Sequence, residues 1–118
     1  MGYPVVHFEF LGKDANQLQE FYSKIMGWKI SSDNPMNYGL VDTDSDGNGI
    51  GGGVGESQDG SSQAVIYVEV PDLEATLKEV EAAGGKTTVP VTVIPDMVTF
   101  AQFADPAGNV VGLVQSDG

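Results

Sequence analysis

The chain carries a single histidine, His7, two residues before Glu9 in the stretch VVHFEF. In an extended strand that spacing puts imidazole and carboxylate on one face. An imidazole there could ligate a metal, act as a base or hydrogen-bond a bound molecule, and a neighbouring carboxylate favours its protonated form. Several other chemistries lack their residues. The chain has no cysteine, which removes disulfides, thiol nucleophiles and thiolate metal sites. One histidine without a GxSxG elbow does not make a serine triad. The run DTDSDGNG (42–49) spaces carboxylates like a calcium loop, but the twelfth position of that template is Gly53 rather than glutamate. The glycine run GIGGGVGE follows a turn and opens no helix, so it is not read as a phosphate cradle.

Composition narrows the field further. The length of 118 residues and 41% apolar content suit one soluble globular domain with a single core. Seventeen acidic residues face five lysines and no arginine, for a net charge of -12. Such a surface repels nucleic acid and anionic membrane, and it lacks the guanidinium forks that hold phosphates. The acidity also fits a high-salt habitat, where screening relieves self-repulsion. No apolar run reaches the roughly 18 residues of a membrane span, and no leader pattern opens the chain. The expected compartment is the cytoplasm.

What must position His7 and Glu9 emerges from an internal repeat. Asp14 and Asp72 both have the place of a helix N-cap, and Gly27 and Gly85 both follow the last apolar turn, each pair 58 positions apart. The first predicted helix carries apolar residues at 15, 18, 21, 22 and 25, the second at 73, 77 and 80. Ahead of them run the strands VVHFEF and AVIYVEV, in which the same shift lays Phe8 and Phe10 on Ile66 and Val68. Those four face the helices; His7 and Glu9, with Val65 and Tyr67, face the other way. At an offset of 61, Asp44–Asn48 repeats as Asp105–Asn109, each a turn between two strands. The reading is βαβββ twice in one domain spanning 1–118, with module one about 1–55 and module two about 63–118.

This arrangement resembles the vicinal oxygen chelate superfamily, which includes glyoxalase I, bleomycin-resistance proteins and extradiol dioxygenases. VVHFEFLGKDANQLQEFYSKIMGWKI, VEVPDLEATLKEVEAAGG and FADPAGNVVGLVQ resemble, in order, the family's opening strand and helix, its second strand and helix, and its closing hairpin. The resemblance implies an α+β fold whose two modules form a pseudo-twofold, cup-shaped mixed sheet with helices outside. Metal-dependent members place four ligands inside that cup, and the resemblance maps those positions onto His7, Gly51, Val65 and Gly112. One imidazole with two glycines and a valine is not a metal site. No metal, cofactor or catalytic residue is therefore expected.

The expected function is metal-independent binding of a small, partly apolar molecule. His7, Glu9, Gly51, Tyr67, Gln102 and Gly112 are its expected contacts, with the glycines widening the cup and segments 31–37 and 89–97 as rims. Symmetric closure of the last hairpin sets Gln102 across from Gly112 and Phe100 beside Val114, giving an aromatic wall with a few polar groups. Trp28 and Tyr38 are assigned to the core. The family resemblance implies a homodimer. Two alternatives stand: a glyoxalase-like lyase, isomerase or dioxygenase recruiting ligands such as Glu9, Glu69 or a partner chain's residues, and a ligand-free interaction domain.

Overall fold

The computed structural model describes residues 2–44 and 46–116. Its elements run β1 (Val5–Gly12), α1 (Ala15–Met26), β2 (Lys29–Ser31), β3 (Gly39–Asp42), β4 (Gly52–Glu56), β5 (Gln63–Val70), α2 (Leu73–Ala82), β6 (Lys86–Ile94), β7 (Val98–Ala104) and β8 (Val110–Gln115). The protein is α+β, with βαβββ occurring twice as the repeat predicts. The chain divides into two compact units, His7–Val65 and the residues from Ile66 onward together with those up to Val6. Among the described residues no helix is long and apolar enough to cross a membrane.

In the unit His7–Val65 the strands lie in the order β2-β3-β4-β1, antiparallel except for the parallel pair β1 and β4. Helix α1 starts where the Asp14 carboxylate accepts from the Gln17 N–H at 3.1 Å. It stops at Gly27, whose φ of 69° is left-handed and whose N–H reaches the Ser23 carbonyl. Phe8 and Phe10 do face the helix. Phe10 stacks on Tyr22 with centroids 4.8 Å apart, and Tyr22 stacks on Trp28 at 5.4 Å. Val41 and Val54 are buried in this unit. The stripe read for α1 is wider than its buried face, since Phe21 and Ile25 remain exposed.

The other unit orders its strands β5-β8-β7-β6, again with one parallel pair, β5 and β8. Asp72 caps α2 through the Ala75 N–H, and the helix ends two residues earlier than a cap at Gly85 would place it, with Ala83 as its C-cap. Gly84 takes the left-handed turn at φ 101°, while the N–H groups of Gly84 and Gly85 reach back to the carbonyls of Glu81 and Val80. Val70, Leu73, Leu77, Ala101 and Leu113 form the core, with Val68, Val91 and Phe103 against it. Ile66, expected to cover the helix, is exposed. The segment 89–97, expected as a rim loop, lies mostly in strand β6. Its run of valines and threonines favours extension, and the register shifts around Pro90 accommodate a residue with no N–H to give the ladder.

Candidate functional site

His7 and Glu9 share the face of β1 turned away from α1, as their spacing requires, and a third side chain joins them. The Tyr38 hydroxyl donates to Glu9 Oε2 at 2.7 Å and lies 3.1 Å from His7 Nε2. The hydroxyl has one hydrogen. With that hydrogen given to Glu9, the oxygen accepts from His7, which assigns the Nε2–H tautomer to the imidazole. The two rings are nearly parallel, 17° apart. Burial holds the His7 imidazole below its ordinary value of 6.5, against a smaller upward pull from the Glu9 charge. The site is thus a neutral imidazole, a phenol and a carboxylate in one hydrogen-bonded row.

The sequence places Tyr38 in the core; it is half-buried, and its hydroxyl belongs to this row. It reaches the row from the turn before β3. Asn34 pins its backbone, accepting from the Tyr38 N–H at 3.0 Å and donating to the Tyr38 carbonyl at 2.7 Å. A signal for it did exist in the sequence. Gly53 and Gly55 alternate, so one face of the strand has no side chains over two rungs, and a large ring from elsewhere must fill it.

The glycines accordingly take another meaning. A Cβ at Gly53 would overlap the Tyr38 phenol, and one at Gly112 would overlap the Tyr67 ring. These glycines make room for the protein's own tyrosines rather than widening an empty cup. Gly51 precedes β4 and lies over no ring; a Cβ there would meet the Val41 carbonyl at 3.2 Å. Strand register also revises the repeat. Glu9 pairs with Gly53 as Tyr67 pairs with Gly112, so the counterpart of Gly112 is Gly53, not Gly51.

In its own unit Tyr67 is buried, its hydroxyl accepts from Gln102 Nε2 at 2.9 Å, and its ring meets Phe100 edge-on at 6.5 Å. Gln102 pairs with Gly112 and Phe100 with Val114, the register expected from symmetric closure. Val65 is buried. In the turn that resembled a calcium loop, Asp42 and Asp44 spend carboxylate oxygens on the N–H groups of Asp44 and Asp46. Asp44 is held below its ordinary value by the Asp46 N–H and then the Asn48 amide. Asp105 is lowered in the same way by Asn109, which accounts for the repeated aspartate and asparagine without a cation.

A resident metal does not fit these side chains. Among the described residues no group of three or more His, Cys, Asp or Glu converges. His7 and Glu9 are already joined through the Tyr38 hydroxyl, and Gly53, paired with Glu9, offers no side-chain donor.

Residues 5–113 match the family model described as Glyoxalase/Bleomycin resistance protein/Dioxygenase superfamily. Comparison with curated proteins yields no match. Among solved structures, the chain is similar to a glyoxalase/bleomycin resistance protein/dioxygenase superfamily member from Vibrio splendidus, with TM-score 0.64, 17% identity, 98% of this chain and 100% of that one covered. It is similar to methylmalonyl-CoA epimerase from Mycobacterium tuberculosis, with TM-score 0.69 and 12% identity over 97% and 88% of the two chains. A Mn(II)-bound glyoxalase from Novosphingobium aromaticivorans aligns with TM-score 0.64 and 17% identity, over 94% of this chain and 38% of that one. At these identities the likeness is one of fold.

Proposed function

We propose, on the premise that this chain belongs to the Glyoxalase/Bleomycin resistance protein/Dioxygenase superfamily, that it binds a small, partly apolar molecule without a metal. The row His7–Tyr38–Glu9 is the polar anchor of the bound molecule. The observation that carries this reading is the Tyr38 hydroxyl between His7 and Glu9, above Gly53. It engages the donors a cation would need and leaves a small polar group on a face otherwise floored by glycine. The charge of -12 and the lack of arginine favour neutral or cationic molecules over anions. The proposal includes a homodimer, checked by sedimentation equilibrium.

The test combines two measurements on protein purified without chelators. Metal analysis is expected to find no stoichiometric nickel, zinc, iron or manganese. Thermal-shift screening with neutral and cationic aromatic compounds is expected to give hits that weaken in His7→Ala and Tyr38→Phe. One tightly held metal ion per chain, or hits indifferent to both substitutions, sinks the reading.

A second reading draws on the same row, because a neutral imidazole linked to a carboxylate can move protons. The structural likeness to methylmalonyl-CoA epimerase names one assay, α-deuterium incorporation into methylmalonyl-CoA in D2O. The acidic, arginine-free surface opposes a substrate rich in phosphate, so no incorporation is expected.

A further inference from the structure

We infer that Gln19, on helix α1, is a positioning residue for the Tyr38 hydroxyl and through it fixes which His7 nitrogen carries the proton. The inference rests on the reading of His7–Tyr38–Glu9 as the anchor.

Gln19 is the anomaly of its helix, a polar side chain only 9% exposed. A buried amide is costly unless its hydrogens find acceptors. Both do: Gln19 Nε2 donates to the Asn37 carbonyl at 3.1 Å and to the Val54 carbonyl at 3.0 Å. Asn37 immediately precedes Tyr38, and Val54 lies between Gly53 and Gly55, the two glycines against which the Tyr38 ring rests. One amide therefore ties the backbone that delivers the ring to the strand that supports it.

The neighbouring residues are shaped around that tie. Gly39 follows Tyr38, and a Cβ there would lie 2.8 Å from Gln19 Nε2 and 2.9 Å from its Cδ, so the amide occupies the place of a side chain. Asn37 has a left-handed φ of 53°, a conformation asparagine tolerates. Asn34 clamps the Tyr38 backbone through its own N–H and carbonyl, independently of the helix. Asn37 also donates to Asn16 at 2.9 Å, an exposed contact outside the Gln19 tie.

Because His7 is the only histidine, its ring nitrogens give an unambiguous long-range 1H–15N spectrum. At a pH where the imidazole is neutral, wild type should show the Nε2–H pattern, and Tyr38→Phe should displace it. Gln19→Met keeps the volume but removes both donors; it should move the His7 signals toward their Tyr38→Phe positions. Asn16→Ala should leave them at wild-type values. A folded Gln19→Met protein with lower Tm and wild-type His7 signals overturns the inference, since Gln19 would then be structural only. Should Gln19→Met not fold, Gln19→Asn carries the test, since it keeps an amide but is one methylene too short to hold both the Asn37 and Val54 carbonyls: unmoved His7 signals overturn the proposal and displaced ones support it. No ligand is needed for this readout, so its failure is distinct from a failed ligand screen.

Discussion

A neutral, half-buried imidazole has a consequence for stability that can be signed. His7 has a folded value below the 6.5 of the free side chain, so between the two the unfolded chain binds more protons. Stability therefore rises with pH through that window and is lost as pH falls from 6.5 toward the lowered value. Asp44, Asp59 and Asp105 act with the same sign but lower down, below their ordinary 3.8, because turn hydrogen bonds favour their charged forms. Urea unfolding across pH should thus show two separate declines. His7→Gln, which keeps a donor toward Tyr38, should remove the upper one alone; an unchanged upper decline would refute the assignment to His7. The two ring-bearing glycines make a second pair of tests. Gly112→Ala collides with the buried Tyr67 and should cost roughly 1–3 kcal/mol in urea unfolding. Gly53→Ala collides with a half-buried tyrosine delivered by a turn, which can move outward. Its stability loss should be the smaller, and its displacement of the His7 NMR signals the larger.

Helix starts are local chemistry, and that chemistry was legible. Asp14 and Asp72 stand in sequence where they cap in the structure. Asp14→Ala and Asp72→Ala should each lower unfolding free energy by about 1 kcal/mol, measured by thermal or urea denaturation. A change near zero in both would mean that packing rather than capping holds these starts. The period-two alternation that set His7 and Glu9 on one face was legible for the same reason, as was the pairing of Gln102 with Gly112 across a short turn. What failed needed distance. The turn repeat equated Gly51 with Gly112, but Leu40 pairs with Gly53 over a longer connection than Gln102 with Gly112. The extra residues after the first turn shift the strand without altering the turn's own aspartate and asparagine. Tyr38 escaped because its ring comes from a turn, where neither period applies. Gln19 escaped because nothing in a helical stripe shows which carbonyls an amide will meet.

For the whole molecule, charge is the quantity that decides behaviour. A net charge of -12 on 118 residues repels itself more strongly in the compact chain than in the unfolded one, where the charges stand farther apart. Added salt shortens the screening length from about 10 Å near 0.1 M to about 3 Å near 1 M, so it relieves the folded state more. Potassium chloride should therefore raise Tm over that range, most steeply at low concentration, where screening changes fastest. Surface area alone would predict a different shape, since excluded solutes strengthen apolar burial roughly in proportion to their concentration. An uncharged osmolyte at matched osmolality separates the two. If sucrose reproduces the potassium chloride curve, or if Tm stays flat below about 0.3 M salt where the Debye length is still shortening, self-repulsion is not limiting this fold. The acidity would then matter for the choice of bound molecule and not for stability.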